Sequence, residues 1–231
     1  MLSPSSLRSI FQWTNQQCQL CHLPLQPGET LWCQYCLSQF PQPPYCSRCG
    51  STTLTPTAQC GRCLPSPPPW QQFYRLGEYD FPLRQLVHQL KFRRKFWLAA
   101  PLGHLLAKQI SHPAPALLPV PLHPLRRLYR SFNQSTLLAQ AIASDTGSLC
   151  LPNAISRARY TPMQRQLSKR ERRRNLHRAF ILKEKQIPEH VAIVDDVVTT
   201  GSTVAEMTKL LLRHGVKQVD IYCICYTPTT N

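Results

Sequence analysis

Long apolar runs are missing from this sequence of 231 residues. None approaches the roughly 18 residues that a membrane-spanning helix needs. The opening MLSPSSLRSIFQWTNQQ also has too short an apolar stretch for the core of a signal peptide, so a cytoplasmic location without membrane insertion is expected. Acid is scarce as well: 11 Asp and Glu stand against 27 Lys and Arg, for a net charge of +16. The imbalance is local. From Arg75 to Lys185 there are 21 basic and 5 acidic residues, while the two flanks together hold 6 of each and cancel. Such a concentration of one sign marks an anionic partner, whether phosphate, pyrophosphate or nucleic acid, without choosing among them. The length suits one ordinary domain with an appendage, or two small ones.

Cysteine, by contrast, is plentiful. There are 11, and eight fall into four CxxC pairs: Cys18/Cys21, Cys33/Cys36, Cys46/Cys49 and Cys60/Cys63. With no secretory context, such pairs point to a metal rather than to disulfides. CxxC-x11-CxxC is followed, 28 residues on, by CxxC-x10-CxxC, a near repeat that reads as a duplicated zinc ribbon. Each CxxC makes a knuckle presenting two thiolates, and two knuckles complete a tetrahedral four-sulfur site. Residues 18–63 hold too few apolar side chains to fold on burial alone, so metal binding would supply the folding energy. About two structural Zn2+ ions are expected, since no open coordination position is apparent. Pairing within each repeat is the simplest assignment, and a crossed arrangement stays open. His22 is the one nearby competing ligand. A catalytic redox CxxC is the rival reading, which the fourfold repetition disfavours.

Pro65-Ser66-Pro67-Pro68-Pro69-Trp70 forces extended geometry and reads as a semi-rigid spacer. The expected organisation is a double ribbon over 1–64, a Pro-rich linker over 65–75, and a second domain over 76–231. In that domain helices are expected over 80–93, 96–110, 132–145 and 202–213, the last stopped by Gly215. Buried strands are expected over 116–121, 190–194 and 219–225. Strands alternating with helices indicate a parallel α/β sheet. Cys150, Cys223 and Cys225 read as core or strand residues.

The segment Val191-Ala192-Ile193-Val194-Asp195-Asp196-Val197-Val198-Thr199-Thr200-Gly201-Ser202-Thr203 carries the chemistry. Four apolar residues bury a strand, two acids follow, and a hydroxyl-rich turn enters a helix. Open α/β sheets bind ligands at such places. The turn offers backbone N–H groups, four hydroxyls and the positive end of a helix dipole, while Gly201 lets the backbone approach a phosphate closely. Two carboxylates cannot favour a phosphate. They need another task, namely accepting hydrogen bonds from sugar hydroxyls. An ordinary βα turn capped by Thr would not need adjacent aspartates.

This segment resembles the phosphoribosyl pyrophosphate (PRPP) signature of the type I phosphoribosyltransferases at every position from Val191 to Thr203. The resemblance implies a type I phosphoribosyltransferase-like parallel sheet, ribose hydroxyls on Asp195 and Asp196, and the 5-phosphate on Thr199, Thr200, Gly201, Ser202 and Thr203. Further strings narrow it: Leu86-Val87-His88-Gln89-Leu90-Lys91-Phe92, Pro119-Val120-Pro121-Leu122, Arg130-Ser131-Phe132-Asn133-Gln134, and Thr161-Pro162-Met163-Gln164 with Leu167, Arg170, Asn175 and Ala179-Phe180. With the cysteine-rich head, nearly the whole chain is similar to the ComF/GntX family. Ser131 departs from the family's common Gly. Membership implies a role in competence, DNA uptake or use of extracellular DNA as nutrient, with DNA-uptake machinery proteins as partners.

By the same resemblance Mg2+ accompanies PRPP, and Val120, Pro121, Leu122 and His123 form the pyrophosphate loop, with Arg126, Arg127 and Arg130 adding charge. The basic stretch from Arg157 to Arg178, including Arg170, Arg172, Arg173 and Arg174, has two functional readings: a lid closing over PRPP, or contact with single-stranded DNA or nucleotides. No segment with an N-terminal nucleophilic cysteine is present for glutamine-dependent chemistry. An acid found in some purine-using relatives is replaced here by Thr199, and no catalytic residue is assigned. The expected function is that of a PRPP-binding, phosphoribosyltransferase-like protein. The alternatives are a single-stranded nucleic-acid binder with a vestigial PRPP site and a nucleobase salvage transferase.

Overall fold

Strands covered on both faces carry apolar side chains almost continuously rather than at alternate positions. Two segments do so, and they form the centre of the sheet. The computed structural model describes residues 17–122, 132–157 and 179–227. The chain divides into two compact units, Met1–Phe40 and Pro41–Asn231. Within the first, the short helix α1 (Gln34–Ser38) follows directly on Cys33, and the Glu29 carboxylate accepts hydrogen bonds from the Gln26 and Gln34 N–H groups at 2.7 and 2.6 Å. Trp32 and Phe40 pack edge to face.

The second unit is α/β. Its strands are β1 (Gln72–Glu78), β2 (Ala116–Pro119), β3 (Leu149–Cys150), β4 (Ile155–Arg157), β5 (Phe180–Leu182), β6 (His190–Val198) and β7 (Gln218–Tyr226). Its helices are α2 (Leu83–Phe92), α3 (Ala99–Ala107), α4 (Gln134–Thr146) and α5 (Ser202–Arg213). Five strands form one parallel sheet in the order β1-β7-β6-β2-β3, and β4 pairs with β5 in a separate antiparallel ribbon. Val191 and Ile193 of β6 and Val219 and Ile221 of β7 pack in one cluster with Val204, Met207 and Leu211 of α5. The helical spacing read from Leu83, Leu86, Val87 and Leu90 holds: all four are buried in α2. Asn133 caps α4, its side-chain oxygen accepting from the Ser135 N–H, and Gly147 closes the helix at φ 71°. α3 lies close against α4 because residue 103 is glycine: a Cβ there would stand 2.7 Å from the Ala141 Cβ.

Several elements differ from expectation: α1, β3, β4 and β5 were not expected at all. The 96–110 helix starts as a 3-10 turn at Phe96–Leu98 and becomes α-helical only at Ala99. β1 was not expected, because Arg75 and Gly77 interrupt its apolar pattern; its register is supplied by β7. β6 does not stop at Val194 but pairs with β7 as far as Val198 opposite Tyr226, so both acids lie inside a strand.

Candidate functional site: a hydroxyl-rich turn, two carboxylates and two cysteine clusters

The eight cysteines gather into two groups, Cys18/Cys21/Cys33/Cys36 and Cys46/Cys49/Cys60/Cys63, each with its sulfurs within 4.8 Å of one another. Zinc bonded to four sulfurs at about 2.3 Å sets neighbouring sulfurs about 3.8 Å apart. The observed separations are 3.7 Å for Cys21–Cys33, 3.7 Å for Cys49–Cys60, 3.8 Å for Cys60–Cys63 and 4.0 Å for Cys46–Cys63. His22 belongs to neither group. Backbone N–H groups point at the sulfurs, as from Leu20 and Cys33 to Cys18 and from Cys60 to Cys46. Burial works against the Cys18 thiolate, yet the Cys21, Cys33 and Leu20 N–H groups bring its pKa down to about 6. Cys60 follows suit: burial opposes, and the Cys63 and Arg62 N–H groups lower it to about 7. Cys36 and Cys63 move the other way, pushed up by burial and by neighbouring cysteines. Four thiolates repel one another unless a cation sits between them, so each donor set fits a divalent, thiophilic metal ion and is consistent with a zinc ribbon.

The carboxyl end of the sheet holds the second feature. β6 ends at Val198, and the turn Thr199–Gly201 delivers the chain into α5. Gly201 stands at φ 70°, in the left-handed region that glycine enters without strain, and precedes the first helical residue. The Thr200 and Ser202 hydroxyls are 2.9 Å apart, and the Ser202 N–H points at Thr200 Oγ1 at 3.4 Å. The first N–H groups of a helix have no partner within it, so this turn presents donors toward an anion. Asp195 and residues 197–204 line a small hollow of about 40 Å³ there. Residues 198–202 also line a larger cavity of about 510 Å³, together with Trp70 and the cysteines Cys49 and Cys63.

The two acids are held differently, as adjacent strand residues must be. Asp196 pairs with Lys91 of α2, Nζ to Oδ1 2.8 Å. Asp195 accepts from the Ser135 hydroxyl of α4 at 3.2 Å and from the Asp196 N–H at 2.8 Å. Burial, with the charge of Asp196 adding to it, raises the Asp195 pKa to about 7, against the opposing pull of Lys91. Lys91 itself is pulled down by burial but held above its usual value by Asp196. Neither Lys91 nor Ser135 was expected as a site residue. Lys91 lay in the string Leu86–Phe92, but no local signal ties it to an acid 105 positions away.

Val120 follows β2, the neighbour of β6 in the sheet. Its N–H donates to the Val194 carbonyl at 2.9 Å, and its carbonyl accepts from the Asn133 side chain at 3.0 Å. Pro121 and Leu122 continue this loop, whereas His123, Arg126, Arg127, Arg130, Ser131, Arg170, Arg172, Arg173 and Arg174 lie outside the described residues. Among the described residues, no helix is long and apolar enough to cross a membrane. Cys223 and Cys225 are buried in β7, and Cys150 is half-buried in β3.

Comparison with known proteins finds relatives along nearly the whole chain. The Phosphoribosyl transferase domain family matches residues 151–231. The "DNA utilization protein YhgH" of Salmonella typhi is 42% identical over 219 residues, covering 91% of this chain and 96% of that protein. "Competence protein F" of Haemophilus influenzae is 36% identical over 225 residues, covering 92% and 98%. Among solved structures, a glutamine PRPP amidotransferase from B. subtilis, complexed with ADP and GMP, overlaps at TM-score 0.39 and 20% identity, over 54% of this chain and 25% of that one.

Proposed function

This chain belongs to the DNA utilization and competence protein F family and contains a phosphoribosyl transferase domain, and on that premise we propose that it binds PRPP with Mg2+ in the uptake or use of external DNA. One observation carries the reading: a hydroxyl-rich helix N-terminus and the strand-held Asp195 line one hollow, with Asp196 the next residue along the strand. In this proposal residues 199–203 hold the 5-phosphate through backbone N–H groups and hydroxyls. Asp195 and Asp196 accept hydrogen bonds from the ribose hydroxyls. A carboxylate has about four acceptor positions, so Asp196 can keep Lys91 and still receive a hydroxyl. Lys91 offsets the repulsion between the acids. The loop Val120–Leu122, with residue 123 beyond it, faces the pyrophosphate, whose charge Mg2+ neutralises when bound. Zinc is assigned to both four-cysteine clusters in a structural role. The reading assigns binding and names no acceptor.

The surplus of basic residues between Arg75 and Lys185 favours a second ligand, single-stranded nucleic acid, held through its phosphates. β4 and β5 pair Arg157 with Phe180, so the basic stretch between them leaves and re-enters the fold at one place. That placement suits a lid over PRPP and a strand-binding loop equally. The test is calorimetric titration of the metal-loaded protein with PRPP and with pyrophosphate, each with and without Mg2+. PRPP binding that Mg2+ strengthens supports the proposal, and binding of neither ligand overturns it.

A further inference from the structure

The hydroxyl-rich turn is joined to the second cysteine cluster through Trp70. Trp70, at the end of the proline-rich segment, is buried and lies over Gly201: a Cβ on that glycine would stand 3.0 Å from the tip of the indole. The Trp70 Nε1–H donates to the carbonyl of Arg48, at 2.7 Å. Arg48 sits between Cys46 and Cys49, inside the knuckle. Its guanidinium reaches back to the same segment, donating to the carbonyls of Gln71 at 3.1 Å and Pro68 at 3.2 Å. A second route runs beside the first. Ser51, two residues past Cys49, hydrogen-bonds the Tyr226 hydroxyl at 3.0 Å, and Tyr226 is the β7 residue opposite Val198, where the turn begins. Phe73 fills the space between: its ring lies beside Trp70 and edge-on to Tyr226, and Gly50 lies directly against it. Every residue of these routes belongs to the unit Pro41–Asn231.

We infer that Trp70 and Arg48 are positioning residues for the phosphate turn, and that metal in the Cys46/Cys49/Cys60/Cys63 cluster thereby sets how well this turn binds the 5-phosphate of PRPP. The inference rests on the PRPP reading for its ligand, but its physical core, support of the turn by the knuckle, does not. Residues 46–63 contain little apolar surface of their own and need the ion to hold the knuckle in shape. If the ion leaves, the Arg48 carbonyl loses its fixed place, the indole loses its hydrogen bond, and the left-handed Gly201 loses the ring that covers it. The side chains of the turn are untouched, but their order is lost. Coupling of this kind travels through packed and hydrogen-bonded neighbours that both ends depend on.

The experiment uses the full chain loaded with zinc. Trp70→Ala should keep its metal and weaken binding of PRPP and of ribose 5-phosphate by roughly three- to thirtyfold, the range that side chains along such a route produce. Inorganic pyrophosphate, which contacts the other loop, should bind as it does to the parent. Trp70→Phe, which keeps a ring over Gly201 but has no N–H for Arg48, should lie between. Amide exchange at residues 198–204 should speed up in Trp70→Ala and in a Cys60→Ser, Cys63→Ser variant, and should stay at the parental rate in Cys18→Ser with Cys21→Ser. Exchange at 198–204 that ignores both Trp70→Ala and loss of the second metal overturns the inference. So does a Trp70→Ala variant that weakens pyrophosphate as much as PRPP, which would mean general destabilisation. If the parent binds no PRPP, the reading of the ligand fails, and the exchange measurement alone still decides whether the knuckle supports the turn.

Discussion

Replacing Lys91 by Met removes the only partner charge shown for the acids of the turn among the described residues. Lys91 Nζ lies 2.8 Å from Asp196 Oδ1, and the two side chains are 19% and 10% exposed. Deleting one member of a buried ion pair strands the other, at a cost of 3–5 kcal/mol; the partial exposure here places Lys91→Met near the lower figure, about 3 kcal/mol at pH 8. The pH dependence follows from the sign of the shift. Asp195 is already raised to about 7, by burial first and by Asp196 second, with Lys91 opposing. Without Lys91, which opposes the shift, Asp195 rises further above the unfolded value of about 3.9. Between those limits the native state binds more protons than the unfolded chain, so stability falls as pH rises. Lys91→Met should therefore be strongly destabilised at pH 8 and less so near pH 4.5, where protonation of Asp195 removes one of the two negative charges. Adding Asp196→Asn should recover much of the loss at pH 8. Urea unfolding followed by circular dichroism at both pH values measures all of this. An equal deficit at the two pH values, with no recovery in the double variant, refutes the pairing argument.

Metal analysis of carefully prepared protein should give about two zinc ions per chain, and one or none contradicts the paired clusters; chelation should unfold residues 17–40 while the core of the sheet persists. Gly103→Ala separates propensity from packing: helix propensity alone predicts a gain of about 1 kcal/mol, whereas a Cβ 2.7 Å from Ala141 should force α3 off α4 and cost about 1–3 kcal/mol net, so a stabilised variant would refute the close approach of the two helices. For Arg172, Arg173 and Arg174, joint replacement by Ala should flatten the salt dependence of single-strand binding by about 0.7 log unit for each phosphate that is no longer neutralised, if the stretch touches DNA. If it is a lid, PRPP retention should suffer and DNA binding should not.

Much of the site was legible because its signals are local. The cysteine spacing marks four knuckles, with pairing within each repeat the simplest assignment, and the run from Val191 to Thr203 places a strand, a turn and a helix in order. The α2 stripe is likewise local, since Leu83, Leu86, Val87 and Leu90 share one helical face. What stayed hidden depends on which strands lie side by side. The extension of β6 past Asp195 and Asp196 comes with its pairing to β7; Val197 and Val198 suit a strand, but the two acids separate them from the apolar run. Lys91 and Ser135 reach the acids only because α2 and α4 are brought to β6 by the chain's topology. Trp70 reads in sequence as the end of a proline spacer, yet it lies against a glycine 131 positions on, and its polar atom is claimed by a knuckle residue.

The central claim is that the carboxylates beside the turn hold the ribose of PRPP, and one titration tests it most directly. Asp195→Asn with Asp196→Asn keeps the shape of both side chains and leaves a carbonyl oxygen for Lys91, but removes the charge that strengthens hydrogen bonds from sugar hydroxyls. Charge-assisted bonds of this kind contribute about 1.5–3 kcal/mol each, so PRPP affinity should fall by roughly a hundredfold or more. Calorimetry at saturating Mg2+ on the folded, zinc-loaded double variant should show that loss with its circular dichroism spectrum unchanged. A double variant that binds PRPP as tightly as the parent contradicts the account.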